Sequence, residues 1–331
     1  MSAAAAFPSA ARFERILVTG GSGFVGRYML EGLARAYPAA HRMSLARPGE
    51  PAPAAGWSPI AFDLLDPAET EATMREARPD LVVHLAAQAS AAKSFVAAEE
   101  TWRVNFVGSL NLGSALARHA AEAVVIFAST ADVYGASLGE DAAHEAMIPR
   151  PLNAYARSKL AAETMLADVL PQTARLVVAR PFSHIGPGQD KRFAISSFAA
   201  QIVEIESGRA EPRLCVGDLS VQRDFLDVRD VVDAYLRLIA IAPDLPARDI
   251  FDIASGTTRP LASLVEAMRR LARRDFEIVV DPERLRPADI PVAHCVAAKL
   301  RAATGWSPTR TTDETLVDLL DYWRAAAEAA K

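Results

Sequence analysis

The sequence predicts an α/β fold, a doubly wound parallel sheet followed by a smaller, mostly helical domain. Three observations carry this. Short strands that are apolar throughout alternate with helical stretches between residues 13 and 180, the pattern of a parallel sheet covered on both faces. Glycines follow directly on the first strand. The length of 331 residues exceeds one simple core and suits a large α/β domain with an attachment.

In order, "RILVTG" reads as a buried strand, because Ile16, Leu17 and Val18 run together before the glycines. "FVGRYMLEGLARA" has helical spacing, and "RMSLA" is the second strand. "DLVVHLAA" is the third strand, and "TWRVNFVGSLNLGSALARHA" a long helix. "AVVIFAST" is the fourth strand, "NAYARSKLAAETMLADVL" a helix and "ARLVVARP" the fifth strand. After Pro181 the character changes, and "SHIGPGQDKR" is a polar loop. "FAISSFAAQIVEIESG" is a helix ended by Gly208, "VQRDFLDVRDVVDAYLRLI" another helix and "DIFDIAS" a strand. The remainder is mostly helical. The expected division is a dinucleotide-binding part at 13–180 with a return segment near 225–254, and a second domain at 181–224 and 255–331.

Hydrophobic residues make up 51% and charged residues 23%, an ordinary globular balance. The net charge of −5 argues against non-specific nucleic-acid binding, so an anionic ligand needs a local basic site. Cys215 and Cys295 are too few for a disulfide framework and lack metal-ligand spacing, which predicts two reduced packing cysteines and no metal. No apolar run reaches transmembrane length, and "MSAAAAFPSAAR" lacks the build of a signal peptide. A cytoplasmic protein without membrane or nucleic-acid partners is expected.

"VTGGSGFVG" places Gly20, Gly23 and Gly26 between a strand and a helix. Gly20 can make the tight turn, Gly23 lets the backbone approach a pyrophosphate, and Gly26 allows close helix–strand packing. The helix start offers N–H groups and a positive dipole end to phosphates. This predicts a dinucleotide cofactor and a Rossmann-type sheet. The second strand should end at the adenosine ribose, where an acid favours NAD. Here "RMSLARP" has Arg47 and no acid. Arg47 can hold a 2′-phosphate, which favours NADP(H); a solvated Arg47 would leave NAD(H) acceptable. Asp63 in "FDLLD" can accept from the adenine amino group.

Tyr155 and Lys159 in "NAYARSK" lie four apart, so their Cβ atoms stand roughly 5–6 Å apart on one helix face. Together with "TGGSGFVG", "FDLLD", "VVHLAAQAS", "VNFVGSLNL", "FASTADVYG", "ARPFSHIGPGQ" and "QRDFLDV", they make the chain resemble the extended short-chain dehydrogenase/reductase family over nearly its full length. The resemblance implies a catalytic set of Thr130, Tyr155 and Lys159. A free tyrosine pKa of about 10 is too high for proton transfer near neutrality. An adjacent ammonium lowers it and makes Tyr155 a usable acid or base. The resemblance also implies a cofactor site of Gly20, Gly23, Phe24, Val25, Gly26, Asp63 and Leu64, then Leu85, Ala86, Ala87, Gln88 and Asn105, and finally Ala128, Tyr155, Lys159, Pro181 and His184. His84 is expected to be a packed strand residue, and Asn105 to organise structure.

Family members include epimerases, 4,6-dehydratases, decarboxylases and ketoreductases of nucleotide sugars. Dehydratases usually show Thr-Asp-Glu or Thr-Ser-Glu, whereas this chain has Thr130, Ala131 and Asp132. Ala131 cannot act as an acid, which favours a reductase. "VARPFSHIGPGQ" and "VGDLSVQRDFLDVRDVVDAYLRL" resemble members that reduce a GDP-linked 4-keto-6-deoxy sugar, with GDP-D-rhamnose for surface polysaccharide as the implied product. A 4-epimerase or 4,6-dehydratase with tightly held NAD, and a non-catalytic NADP-binding sensor, are the alternatives. Implied substrate contacts are Ser90, Thr130, Asp132, Ser183, Lys191, Arg192, Phe193, Arg223, Arg286 and Asp289. Ser183 stands where many relatives carry Asn. The guanidinium fork of Arg223 and of Arg286 suits diphosphate oxygens. The resemblance further implies a homodimer through a four-helix interface near Trp102 and Tyr155.

Overall fold

The computed structural model describes residues 13–46, 54–139, 142–285 and 290–329. The first half runs β1 (Arg15–Thr19), α1 (Phe24–Ala36), β2 (His41–Ala46), β3 (Ser58–Ala61), α2 (Pro67–Ala77), β4 (Leu81–His84), α3 (Ala91–Val96), α4 (Ala98–Trp102), α5 (Gly108–His119), β5 (Val124–Ala128), α6 (Ala154–Val169) and β6 (Arg175–Pro181). The second half runs β7 (Ser183–Ile185), α7 (Ala194–Glu206), β8 (Arg213–Val216), β9 (Gln222–Asp227), α8 (Val228–Ile241), β10 (Arg248–Ile253), β11 (Thr258–Pro260), α9 (Leu261–Leu271), β12 (Glu277–Val280), β13 (Val292–Ala293), α10 (Ala298–Thr304) and α11 (Thr312–Ala329).

Among the described residues, seven strands form one parallel sheet in the order β10-β6-β5-β4-β1-β2-β3. Ile16, Leu17 and Val18 of β1 and Leu81, Val82 and Val83 of β4 are fully buried because helices cover both faces. On one face Met29 and Leu33 of α1 pack with Tyr235, Leu236 and Ile239 of α8. On the other, Met74 of α2, Leu112 and Leu116 of α5 and Leu166 of α6 form a second layer. Each such side chain contributes roughly 1.5–3 kcal/mol by leaving water. A third core joins Phe198 and Ile202 of α7, Leu264 and Met268 of α9, and Leu316 and Leu319 of α11. The chain leaves β1 in one direction and β4 in the other, so a crevice opens beyond their carboxyl ends.

Three of the expected elements differ in the structure, and β3, α2, β8, β11, β12 and β13 had no counterpart in the sequence reading. The helix expected over 101–120 is interrupted by a π-helical turn at Arg103–Val107, where the Asn105 side chain turns inward to bond backbone. The helix expected over 221–239 begins at Val228; Gln222–Asp227 is strand β9. β9 pairs with β7, β11 and β13, and the Asp227 carboxylate then caps α8 by accepting from the Arg229 N–H at 2.7 Å. The loop expected from Ser183 starts with strand β7. Strands this short carry too few residues for a period of two to show.

Candidate active site

The turn after β1 is shaped for something to approach closely. Gly20 has φ +75°, and a Cβ there would meet Ala86 N at 2.7 Å. A Cβ on Gly26 would stand 2.1 Å from the Gly20 carbonyl oxygen. Gly23 is the N-cap of α1 with extended backbone; no side chain caps the helix, and its first turn carries no acid. The N-terminal N–H groups therefore point their positive dipole end at the crevice without a competing carboxylate. Phe24 and Val25 open α1, and the Phe24 ring stacks on His184 with centroids 6.1 Å apart and an interplanar angle of 6°. Burial lowers the His184 imidazole pKa, so the ring is biased to the neutral form. Tyr28 of α1 donates to the Pro187 carbonyl at 2.8 Å and Arg27 to the Gly188 carbonyl at 2.7 Å. The start of α1 thus grips the loop that follows β7.

The second wall is the segment after β4. Leu85, Ala86 and Ala87 are half-buried there. Gln88 N–H donates to Asn105 Oδ1 at 2.8 Å, and Asn105 Nδ2 donates to the Gln88 carbonyl at 3.2 Å and to Ser158 Oγ at 3.0 Å. Asn105 is fully buried. His84 bonds Thr19 Oγ1 at 2.6 Å and Ser109 Oγ at 2.9 Å. Burial, with Lys159 nearby, pushes its pKa down to about 3, so the ring is neutral and structural. Ser90 Oγ caps α3, accepting from the Lys93 N–H at 3.1 Å. Asp63 is exposed and accepts from the Leu65 N–H at 2.9 Å, while the Leu64 carbonyl accepts from Asn111 at 2.8 Å.

Thr130, Tyr155 and Lys159 meet at the carboxyl end of β5. Thr130 follows the strand and starts a 3-10 turn, where its hydroxyl accepts from the Asp132 N–H at 3.2 Å. Asn153 caps α6 by accepting from the Ala156 N–H at 2.9 Å, which fixes Tyr155 in the first turn and Lys159 one turn on. Tyr155 is 9% exposed and Lys159 3%. Burial, then the Asp132 carboxylate, push the Tyr155 phenol well above its ordinary value, and a hydrogen bond with Thr130 pulls it partly back. Lys159 Nζ donates to the Ala128 carbonyl at 2.7 Å and stands 4.7 Å from the Phe127 ring centroid. Burial brings its pKa down to about 8, against the upward pull of Glu163.

On the far side, Pro181 is buried at the end of β6 and Ser183 is half-buried on β7. Lys191 and Arg192 are exposed, and Arg192 Nε bonds Asp190 at 3.0 Å. Phe193 is the N-cap of α7. Arg223 on β9 donates to the Gln222 carbonyl at 2.8 Å and the Ile290 carbonyl at 2.5 Å. Arg47, Arg286 and Asp289 lie outside the described residues.

A buried polar chain behind these residues escaped the sequence reading. Glu163, one turn beyond Lys159, accepts from the Ser129 hydroxyl and from Arg180 Nε at 3.1 Å and Nη2 at 2.6 Å. Arg180 Nη1 donates to the Tyr134 hydroxyl at 3.0 Å, which donates to Asp252 at 2.8 Å. Cys295 lies 3.8 Å from Asp252 through its thiol, and neither it nor Cys215 forms a disulfide. Burial, then Glu145, raise Asp252 to about 7. The available signal was Glu163 itself, a charge on the buried face of a helix.

A sequence profile described as the NAD dependent epimerase/dehydratase family matches residues 16–254. The chain is 38% identical to a GDP-6-deoxy-D-mannose reductase of Pseudomonas aeruginosa, over 94% of this chain and 98% of the relative. It superposes on the structure of RMD from Pseudomonas aeruginosa complexed with NADPH with a TM-score of 0.79 at 36% identity, covering 94% of this chain and 99% of that one. A Thermus thermophilus UDP-glucose 4-epimerase in complex with NAD superposes with a TM-score of 0.80 at 28% identity, covering 94% and 99%. The chain belongs to the NAD dependent epimerase/dehydratase family, the extended short-chain dehydrogenases/reductases.

Proposed function

We propose that the protein reduces the 4-keto group of GDP-4-dehydro-6-deoxy-D-mannose to give GDP-D-rhamnose, with NADPH preferred and NADH accepted. The observation that carries this is the buried Tyr155 phenol hydrogen-bonded with Thr130 at the carboxyl end of β5, with Ala131 and Asp132 following. The Pseudomonas aeruginosa reductase, similar over almost the whole of both chains, supports it.

The open N-terminus of α1 and the glycines that a Cβ would block fit a pyrophosphate. Gly20, Gly23, Phe24, Val25 and Gly26 would hold it, Arg47, Asp63 and Leu64 the adenosine end, and Leu85, Ala86, Ala87, Gln88, Ala128, Pro181 and His184 the remainder. The chemistry that NADPH supplies when bound is a hydride for the carbonyl carbon. Thr130 orients the carbonyl by hydrogen bonding its oxygen. Tyr155 gives its proton to that oxygen as it becomes a hydroxyl. Lys159, an ammonium below about pH 8, supports the tyrosinate that is left. Dehydration needs an acid and a base beside the sugar ring; Ala131 offers neither, and Asp132 is one methylene shorter than the glutamate usual at its place, which argues for reduction over dehydration.

Residues 181–224 and 255–331 are assigned to the nucleotide sugar, with Arg223 and Arg286 at the diphosphate and Lys191, Arg192, Phe193 and Asp289 around the nucleoside. Ser90, Asp132 and Ser183 would face the sugar. Phe95, Trp102 and Val107 are exposed apolar side chains on α3, α4 and the π turn, which supports a homodimer through these helices and α6. A cytoplasmic role in supplying surface polysaccharide fits this reaction. Nuclear magnetic resonance of the sugar formed from the GDP-linked ketone and NADPH tests the reading. GDP-D-rhamnose supports it, and GDP-6-deoxy-D-talose refutes the stereochemistry.

A further inference from the structure

We propose that Glu163, clamped by Arg180, is a positioning residue that keeps Lys159 protonated while the enzyme turns over. The proposal rests on the reductase reading above.

Lys159 is almost wholly buried, and the neighbours that hold its ammonium are the Ala128 carbonyl and the Phe127 ring. These are dipole and quadrupole partners, which leave a buried charge without compensation. A carboxylate one turn away supplies it. Glu163 is that group, and it acts on Lys159 in the direction of the charged form. Three donors fix that carboxylate in place: the Ser129 hydroxyl and two guanidinium nitrogens on its two oxygens.

Arg180 is fixed in turn. Its Nη1 donates to the Tyr134 hydroxyl, its guanidinium carbon lies 5.0 Å from the centre of the Tyr134 ring, and Tyr134 is anchored to Asp252. The chain links α6, β6, the turn after Thr130 and β10 in one direction of hydrogen bonding. An isolated ion pair needed only for stability would not have to lie on the buried face that carries Tyr155 and Lys159.

The titratable and charged groups around Lys159 are His84 on β4, and Tyr155 and Glu163 on α6. Arg180 on β6 reaches it through Glu163. Asp132 on the turn after β5 and Tyr235 on α8 reach it through Tyr155. His84 is neutral, so Glu163, bridged by Arg180, is the carboxylate that acts on Lys159 from its own helix.

The test is the pH profile of kcat/KM for the GDP-linked ketone, with wild type in parallel. Glu163→Gln removes the carboxylate but leaves Arg180 unpaired. Glu163→Gln with Arg180→Met removes both charges, a change that buried ion pairs often tolerate. Glu163→Asp keeps the charge. The alkaline limb is expected to move down by about one unit or more in Glu163→Gln, the size of shift an opposite charge produces, and by less in the double variant, which also loses the Arg180 cation. Glu163→Asp should restore most of it. A folded Glu163→Gln, or failing that a folded double variant, whose limb coincides with wild type overturns the proposal. If the double variant does not fold, a Glu163→Asp limb displaced as far as that of Glu163→Gln also overturns it. A wild type that does not reduce the ketone defeats the underlying reading instead.

Discussion

Tyr155 and Lys159 stand one turn apart on α6 and burial acts first on both, yet different groups act next: Asp132 and Thr130 on the phenol, Glu163 on the ammonium. The expectation from the family resemblance and the adjacent ammonium was a tyrosine tuned downward by its lysine. Within the chain's own residues the phenol is instead pushed upward, which suits a group whose task is to donate a proton.

Tyr155→Phe removes that donor and keeps the ring. The variant should fold and bind NADPH like wild type while kcat falls about a hundred- to ten-thousand-fold, the usual contribution of a positioned acid. Fluorescence titration with NADPH and steady-state kinetics check the two halves. Full activity would contradict the assignment.

The pH dependence follows from Lys159. Its folded pKa of about 8 lies below the ordinary 10.5. Activity that needs the ammonium should therefore decline as pH rises through about 8. Stability runs the other way. The unfolded chain binds more protons between these values, so this group's contribution grows as pH rises across the window and is absent below it. Kinetics and denaturant titrations from neutral pH to pH 10 would show both trends.

Asp252 carries the opposite sign. Its pKa is raised from 3.8 to about 7, so its contribution to stability is fully present below 3.8 and lost as pH rises through 7. Asp252→Asn can still accept from Tyr134 and no longer opposes Glu145. It should gain roughly 2 kcal/mol over wild type at pH 8 and lose that advantage at pH 4. Equal midpoints for the two proteins at both pH values would contradict this.

Asn105→Ala leaves the Gln88 N–H and C=O buried without their partners. The expected cost is about 2–3 kcal/mol, read from urea unfolding. A change below half of that would mean water or a shifted backbone replaces the amide.

Much of the frame could be read in the residues. Ile16 to Val18, Leu81 to Val83 and Val124 to Phe127 announce buried parallel strands because no polar residue interrupts them. Gly20 and Gly26 announce the turn because any side chain there collides with backbone. The small strands around β9 were not legible: four of the six residues from Gln222 to Asp227 are polar, and their pairing partners lie up to about seventy residues away in sequence. The Glu163–Arg180–Tyr134–Asp252 chain was hidden for a related reason. Its members come from four separate segments, and only the fold sets them side by side.

The most direct measurement is the stoichiometry of reduced cofactor. GDP-mannose is converted to its 4-keto-6-deoxy form by a separate dehydratase that is then removed, and NADPH absorbance is followed on adding this protein. The account predicts one NADPH oxidised for each ketone consumed and no turnover without NADPH. Conversion of a nucleotide sugar with no net oxidation, by protein that carries bound NAD, would contradict it and identify an epimerase or dehydratase.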